Sequence, residues 1–396
     1  MCDPKFRLEI TSVRAPETAM RVSSIRLLDD HAKRRGTCDS ALQLVDWLIY
    51  MCTGADRGFS SLPSTFERLA AEVGLAVECH IVQTGDGYEL LLHRLVGRRA
   101  KRRPVFLMHG LFEESTVWLA HRRSSLAYRL VEGGYDVWLG NTRGNAYSSG
   151  QWGLWGSRMH SWGNDELASE DIAASVQAVL EVAHAEGLQA DKVIFIGQSQ
   201  GASSAITACS LREGLGGRLA CLVLLAPPLC LQASVNPTLR LALKTPSLVY
   251  RAVFAFVLPI GRLVPNAIYL PIAKAGMRRM GFVVRPHDPD AAAITFRCVP
   301  SGSTSSPNLS LWFGMAAEGG ALDVKTKQVT CPVIAYLGGQ DVILDCDAIT
   351  TLLQRLPDLH RLHVQPGFAH ADFVWSADAP SIVYGQLLDE VDAFSG

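Results

Sequence analysis

The chain has 396 residues, of which 48% are hydrophobic and 19% charged, with a formal net charge of −1. That composition buries a large core and excludes a disordered chain. Near-neutral charge, with no basic face interleaved with aromatics, argues against nucleic acid as a partner.

The N-terminus, MCDPKFRLEITSVRAPETAM, has no basic stretch followed by an apolar core, so no cleaved secretory signal is expected. The expected location is intracellular, with association to a membrane or lipid droplet. Residues 1–70 show no clear period and read as an N-terminal extension. Within them, residues 41–54 are too short for a membrane span and contain Asp46, which predicts an amphipathic or docked helix. The ten cysteines include no C-x-x-C pair, so neither a zinc site nor a disulfide framework is expected, and most should be buried reduced thiols.

From Val77 the pattern sharpens. Two apolar runs, Val77 to Val82 and Tyr88 to Leu95, flank the turn Gly85-Asp86-Gly87 and predict a β-hairpin. The short continuous apolar run Val105 to Met108 is what a strand buried on both faces shows, and it recurs at Asp136 to Leu139, Val193 to Ile196, Cys221 to Leu225 and Val333 to Leu337. Helical stretches lie between them, at Ser124 to Glu132, Glu166 to Glu186 and Gln200 to Glu213. Strands alternating with helices imply an α/β fold with a mostly parallel sheet and helices on both faces. The alternation stops after Pro227-Pro228 and resumes near 320, which reads as a mainly helical cap inserted at about 228–320 into a domain spanning 71–396. Residues 248–264 in that insertion are apolar but interrupted by Arg251, Pro259 and Arg262, and read as a lid or interfacial helix.

The chemistry centres on Gly197-Gln198-Ser199-Gln200-Gly201, a G-x-S-x-G placed directly after a predicted strand and before a predicted helix. A serine at so sharp a turn takes a strained backbone conformation, and Gly197 and Gly201 remove the side chains that would crowd it. A serine hydroxyl needs a base and a carboxylate to orient that base. Asp341 follows the run Val333 to Leu337 at a strand end and is preferred over Asp345 and Asp347, which fall into the next turn and helix. His370 lies in a loop after the short strand Leu362 to Val364 and before a C-terminal helix at Pro380 to Phe394; His363, inside that strand, reads as a packed or surface side chain. Donors for an oxyanion are expected from the backbone N–H of Gln200 and of Leu111, with Gly110 allowing the turn and His109 holding the loop.

On these residues the sequence resembles the acid-lipase family of α/β hydrolases, which includes gastric and lysosomal acid lipases and fungal steryl ester hydrolases. The resemblance runs from about Val77 to the C-terminus and is carried by Gly87 to Leu90, His109-Gly110-Leu111, Gly134 to Asn145, Ser161-Trp162 with Asp165, Glu166 and Asp171, the serine motif, and His370 to Trp375. It implies the α/β-hydrolase fold, Ser199 as nucleophile, Asp341 and His370 as its partners, Leu111 and Gln200 as oxyanion donors, no metal or organic cofactor, and a lipid ester substrate. The family usually has a histidine before the nucleophile where this chain has Gln198, which implies altered packing or pH response rather than altered chemistry.

The expected activity is therefore hydrolysis of triacylglycerol or steryl esters through an acyl-enzyme, with peripheral contact at a lipid surface. An acyltransferase or thioesterase uses the same triad. A non-catalytic binding protein of this fold is the rival from another class, and such relatives commonly lose triad members that this chain retains. The sequon Asn308-Leu309-Ser310 matters only if the chain enters the secretory route.

Overall fold

A computed structural model describes residues 11–12, 22–25, 65–97, 102–145, 147–148, 162–188, 190–211, 215–233, 244, 265–279, 289–298 and 304–395. The helices expected over 41–54 and 248–264 lie outside these residues.

Ten strands form one sheet: β1 (Thr11–Ser12), β2 (Val22–Ile25), β3 (Ala76–Gln83), β4 (Glu89–Val96), β5 (Pro104–Met108), β6 (Asp136–Leu139), β7 (Val193–Gln198), β8 (Leu219–Leu225) and, after the insertion, β11 (Val333–Gly338) and β12 (Leu359–Gln365). Their order is β1-β2-β3-β4-β6-β5-β7-β8-β11-β12. Strands β1 to β4 and the β4/β6 junction pair antiparallel, and from β6 to β12 every pairing is parallel. The predicted hairpin and all five buried runs are present. Strands β5, β6, β7, β8 and β11 are buried along their whole length, which is why they read as unbroken apolar runs. The last strand is longer than the Leu362 to Val364 expected, and as an edge strand it is only partly covered, so its pattern is weaker.

The region before residue 70 contributes more than an extension. β1 and β2 extend the antiparallel side of the sheet, and α1 (Thr65–Glu72) inserts Phe66, Leu69 and Ala70 into the main core. The boundary expected near 70 thus falls inside a packed helix.

Three helices cover the sheet or follow its strands, α2 (Leu126–Glu132), α3 (Ala173–Ala185) and α4 (Gln200–Leu211), and α3 is led into by a turn Asn164–Glu166 and a π-helical turn Leu167–Ile172. The helix expected from Glu166 to Glu186 is therefore not uniform. Its π turn buries Asp171, which meets Arg143 at 2.7 Å.

The insertion leaves and returns through a two-stranded antiparallel ribbon of β9 (Cys230–Leu231) and β10 (Gly320–Ala321). Its described helices are α5 (Asn266–Arg279), α6 (Pro289–Cys298) and α7 (Ser306–Glu318), the last capped by the Ser305 hydroxyl. After β11 come α8 (Cys346–Leu353), the short α9 (Asp372–Trp375) and, where one C-terminal helix is predicted, two: α10 (Ala379–Ile382) and α11 (Tyr384–Asp392). Cys79, Cys209, Cys221, Cys230 and Cys331 are buried free thiols.

Phe66 is fully buried and lies 4.2 Å, ring to ring, over His93. Phe66→Ala should lower unfolding stability by about 3–5 kcal/mol, read from urea denaturation. An unchanged midpoint would mean that α1 is not part of the folding core.

Candidate active site

The site is built at the C-terminal edge of the parallel strands. Strand β7 ends at Gln198, and Ser199 turns the chain into α4 with φ of 50°, in the left-handed region that L-residues avoid. Hydrogen bonds hold it there on both sides. The Ser199 N–H donates to the Leu225 carbonyl (2.9 Å) at the end of β8, and the Ser199 carbonyl accepts from Ala202 (2.9 Å) and Ser203 (3.1 Å). The predicted need for small flanking residues has a direct steric basis. A Cβ on Gly197 would lie 2.6 Å from the Ala202 nitrogen, and one on Gly201 would lie 2.5 Å from the Met108 carbonyl oxygen.

Ser199, His370 and Asp341, far apart in the chain, meet here. The Ser199 Oγ is 2.7 Å from His370 Nε2, and His370 Nδ1 is 2.8 Å from Asp341 Oδ2. A carboxylate only accepts, so Nδ1 carries the proton and Nε2 is left to accept from the serine hydroxyl. Asp341 Oδ1 accepts from the backbone N–H groups of Ile343 (2.9 Å) and Leu344 (3.2 Å), which fixes the carboxylate plane. Burial pushes the His370 imidazole down, but the Asp341 carboxylate outweighs it and holds the ring above its ordinary value of 6.5. Gly338 lets the two loops cross, since a Cβ there would stand 2.5 Å from the Phe368 carbonyl oxygen. The neighbouring Gln340 N–H donates to that same oxygen at 2.8 Å. Asp345 caps α8 through the Ala348 N–H (3.0 Å), and Asp347 lies in the first turn of that helix. His363 pairs with Glu390 at 2.7 Å against the Tyr336 ring, a packed histidine as expected.

The loop after β5 is fixed by His109. Its Nδ1 donates to the Gly110 carbonyl (2.8 Å), leaving Nε2 to accept from the Thr142 backbone N–H (3.3 Å) and the Asn145 amide (3.2 Å). Both ring nitrogens are spent in the neutral form, and burial pushes its pKa down to about 4. In a trans peptide the C=O and the following N–H point in opposite directions. With the Gly110 carbonyl turned towards His109, the Leu111 N–H therefore faces the other way. Gly110 itself borders Ser199, as a Cβ on it would lie 3.1 Å from Ser199 Cβ. Gln200 opens α4, where backbone N–H groups lack intrahelical partners.

Trp312 and Glu113 are participants that the sequence does not single out, and several residues named from the sequence make contacts that it does not foretell. The Gln200 side-chain oxygen accepts from Asn308 (2.7 Å) and from the Trp312 indole (2.8 Å), both on the cap helix α7. Asn308 is fully buried and also donates to Thr304 (2.9 Å), so a glycan on its sequon is incompatible with the fold. Glu113 joins Gly110 to Trp375. The run Gly140 to Asn145 supplies Asn141 and Asn145, which tie Leu91, Ser115 and His109 together, and Arg143, which donates to Asp171 (2.7 Å) and Asp86 (2.6 Å). That density of buried polar contacts is the physical reason for so distinctive a stretch of sequence. Gln198 is 2% exposed, and its side-chain oxygen has no partner among the described residues. Among those residues no group of three or more His, Cys, Asp or Glu side chains is placed to hold a metal ion.

A parallel sheet with a strained serine at a strand-to-helix turn, facing a carboxylate-held histidine, defines the α/β hydrolases as the class. A family model described as serine aminopeptidase, S33, matches residues 99–374, well over half the chain, and one described as a partial alpha/beta-hydrolase lipase region matches residues 66–122. The chain is similar to the lysosomal acid lipase/cholesteryl ester hydrolase of Macaca fascicularis, with 27% identity over 356 residues covering 80% of this chain and 88% of the relative. It is also similar to the gastric triacylglycerol lipase of Mus musculus, with 26% identity over 356 residues and the same coverage, 80% and 88%. Among solved structures, a hypothetical protein of Pseudomonas aeruginosa shares the fold with a TM-score of 0.50 at 13% identity, covering 81% of this chain and 94% of that one. The chain belongs to the acid-lipase family of α/β hydrolases and is a carboxylic ester hydrolase.

Gly201→Ala should force the α4 backbone away from the end of β5, costing about 1–3 kcal/mol or more of stability. Thermal denaturation and the rate of Ser199 labelling by a fluorophosphonate check this. A variant labelling at the native rate with a native Tm would refute the close-contact account of the elbow.

Proposed function

We propose that the protein hydrolyses carboxylic esters of lipids, triacylglycerols or steryl esters, in two steps through an acyl-enzyme on Ser199. The observation that carries this reading is the hydrogen-bonded chain from Ser199 Oγ through His370 to Asp341, at 2.7 and 2.8 Å. His370 Nε2 takes the serine proton as Oγ attacks the ester carbonyl, and Asp341 steadies the imidazolium that results. The Leu111 and Gln200 N–H groups hold the oxyanion. The protonated His370 then gives its proton to the departing alcohol, the acyl group remains on Ser199, and a water activated by the same histidine releases it as the acid.

The lipid substrate rests on the names of the relatives, a cholesteryl ester hydrolase and triacylglycerol lipases. The cap supports it. Tyr269, Leu270, Ala273 and Met277 of α5 pack against the core, while Ile268 and Ile272, one turn apart, are 55% and 66% exposed on the helix that also carries Lys274 and Arg278. A helix that offers exposed apolar side chains and cations suits peripheral contact with a lipid surface. Among the described residues no helix is long and apolar enough to cross a membrane.

Ser199→Ala should reduce ester turnover by at least about 10⁴-fold in the purified protein with the Tm retained. Assays against triacylglycerol, steryl ester and short-chain ester check both the nucleophile and the substrate class; unchanged turnover would exclude Ser199. The base must be neutral to accept a proton, and Asp341 keeps it protonated to higher pH. The rising limb of kcat/KM against pH should therefore lie above 6.5. Asp341→Asn should move that limb to lower pH and cost about 10⁴-fold in kcat. A limb unmoved in that variant would contradict the assigned pair.

A further inference from the structure

The mechanism above leaves Glu113 unused, although its carboxylate is buried to 4% exposure beside the reacting groups. Carboxylates are rarely taken out of water without partners. Here the partners are two N–H donors. Oε2 accepts from the Gly110 backbone N–H at 2.7 Å, and Oε1 accepts from the Trp375 indole at 2.6 Å.

Those donors sit on loops that carry different parts of the site. Gly110 precedes Leu111, whose N–H is assigned to the oxyanion; Trp375 ends α9, in the segment that begins with His370. Glu113 also donates its own backbone N–H to the Gly110 carbonyl (3.3 Å), on the oxygen that His109 already holds at 2.8 Å. Every polar group of Gly110 is thereby fixed, and with it the direction of the Leu111 N–H. The packing is tight on all sides. A Cβ on Gly110 would stand 2.4 Å from Gln198 Oε1, 2.9 Å from Glu113 Oε2 and 3.1 Å from Ser199 Cβ.

We propose that Glu113 is a positioning residue for ester hydrolysis: its carboxylate bridges the oxyanion loop at Gly110 to the base loop at Trp375, holding the Leu111 N–H and the His370 imidazole in fixed relation to Ser199. This rests on the functional reading given above. The bridge carries charge as well as shape. His370 is bonded to Ser199 at Nε2 and to Asp341 at Nδ1, and the negative charge of Glu113 adds to the effect of Asp341 in holding the imidazole above its ordinary value. Glu113 in turn is faced by Gly110, Trp375 and His370. Burial pushes its carboxyl up, and those three offset that only in part, so it stays above its ordinary value.

Glu113→Gln keeps the shape but sets an NH₂ against one of the two N–H donors and removes the charge. The expected result is a fall in kcat of about tenfold to a hundredfold with KM little changed. The rising limb of kcat/KM should also move to lower pH, a shift that a purely structural role would not produce. Trp375→Phe removes one donor and leaves the carboxylate on Gly110, so it should lower kcat less and leave the limb in place. A folded Glu113→Gln enzyme with native kcat and a native limb overturns the proposal. If that variant does not fold, native kcat in Trp375→Phe overturns it. A native protein that neither turns over esters nor labels at Ser199 with a fluorophosphonate overturns the functional reading itself, before any variant is compared.

Discussion

Ser199 holds a backbone conformation that a residue with a Cβ adopts at a cost of about 1–3 kcal/mol, and only where its surroundings leave no alternative. Its surroundings here are the ends of three neighbouring strands. Phe112 beyond β5, Ser199 at β7 and Ala226 at β8 all have positive φ, at 67°, 50° and 46°. Strain is thus concentrated along one stretch of the sheet edge, where the chain must leave each strand abruptly to leave room for a reacting group. The opposing stabilisation comes from burial. β5, β7 and β8 are covered along their length, and α4 is buried at every residue except Leu211. A sheet this thoroughly enclosed can hold a strained serine because relaxing it would pull α4 out of the core.

The polar groups around that serine form a closed set of hydrogen bonds. His109 fixes the loop after β5 from below, with Asn145 and Thr142 on its far nitrogen, and Asn141 ties the same region to β4 through the Leu91 carbonyl. A low-dielectric setting strengthens such bonds and makes any vacancy in them expensive. Gln198 is the departure, since its side-chain oxygen is buried without a partner among the described residues, directly beneath the nucleophile and against Gly110. An amide there brings no titrating group to the layer beside Ser199. The bonds made by Ser199 itself run to His370 and to backbone, not to Gln198.

Much of this is legible in the sequence because the relevant signals are local. Strands buried on both faces are continuous apolar runs, and a serine between small residues at a strand-to-helix switch is an arrangement that little besides a raised nucleophile requires. Asp341 and His370 stand out as loop residues at strand ends. What stays hidden depends on contacts between distant segments. Glu113 reads as a loop carboxylate like any other until Trp375, 262 positions later, is seen to donate to it. The π turn at Leu167–Ile172 leaves no mark in the hydrophobic pattern, and the contact its Asp171 makes with Arg143 joins segments 28 positions apart. The helix Thr65–Glu72 precedes Val77, where the recognisable motifs begin, and adjoins the less regular sequence before it. Its apolar Phe66, Leu69 and Ala70 form only one short stripe, which gains meaning once it lies on the core.

The insertion joins the catalytic layer at two places rather than hanging from its ends. At its root, Gln232 donates to the Ile343 carbonyl (3.1 Å), Asp345 donates to the Cys230 carbonyl (3.0 Å), and Leu231 bridges Leu344. Ile343 and Leu344 are the residues whose N–H groups hold the Asp341 carboxylate. Further along, α7 grips the side chain of Gln200 through Asn308 and Trp312, and the Ser305 hydroxyl donates to the Trp162 carbonyl. Asp341 and Gln200, the residue after Ser199, are therefore each braced by the insertion. A change of sequence in α7 or in the β9–β10 ribbon reaches Ser199 and Asp341 through hydrogen bonds that are already made, without any contact with substrate. The cap is in this sense part of the structure that sets the geometry of Ser199, His370 and Asp341, and its described portions cannot be treated as a cover added to a finished site.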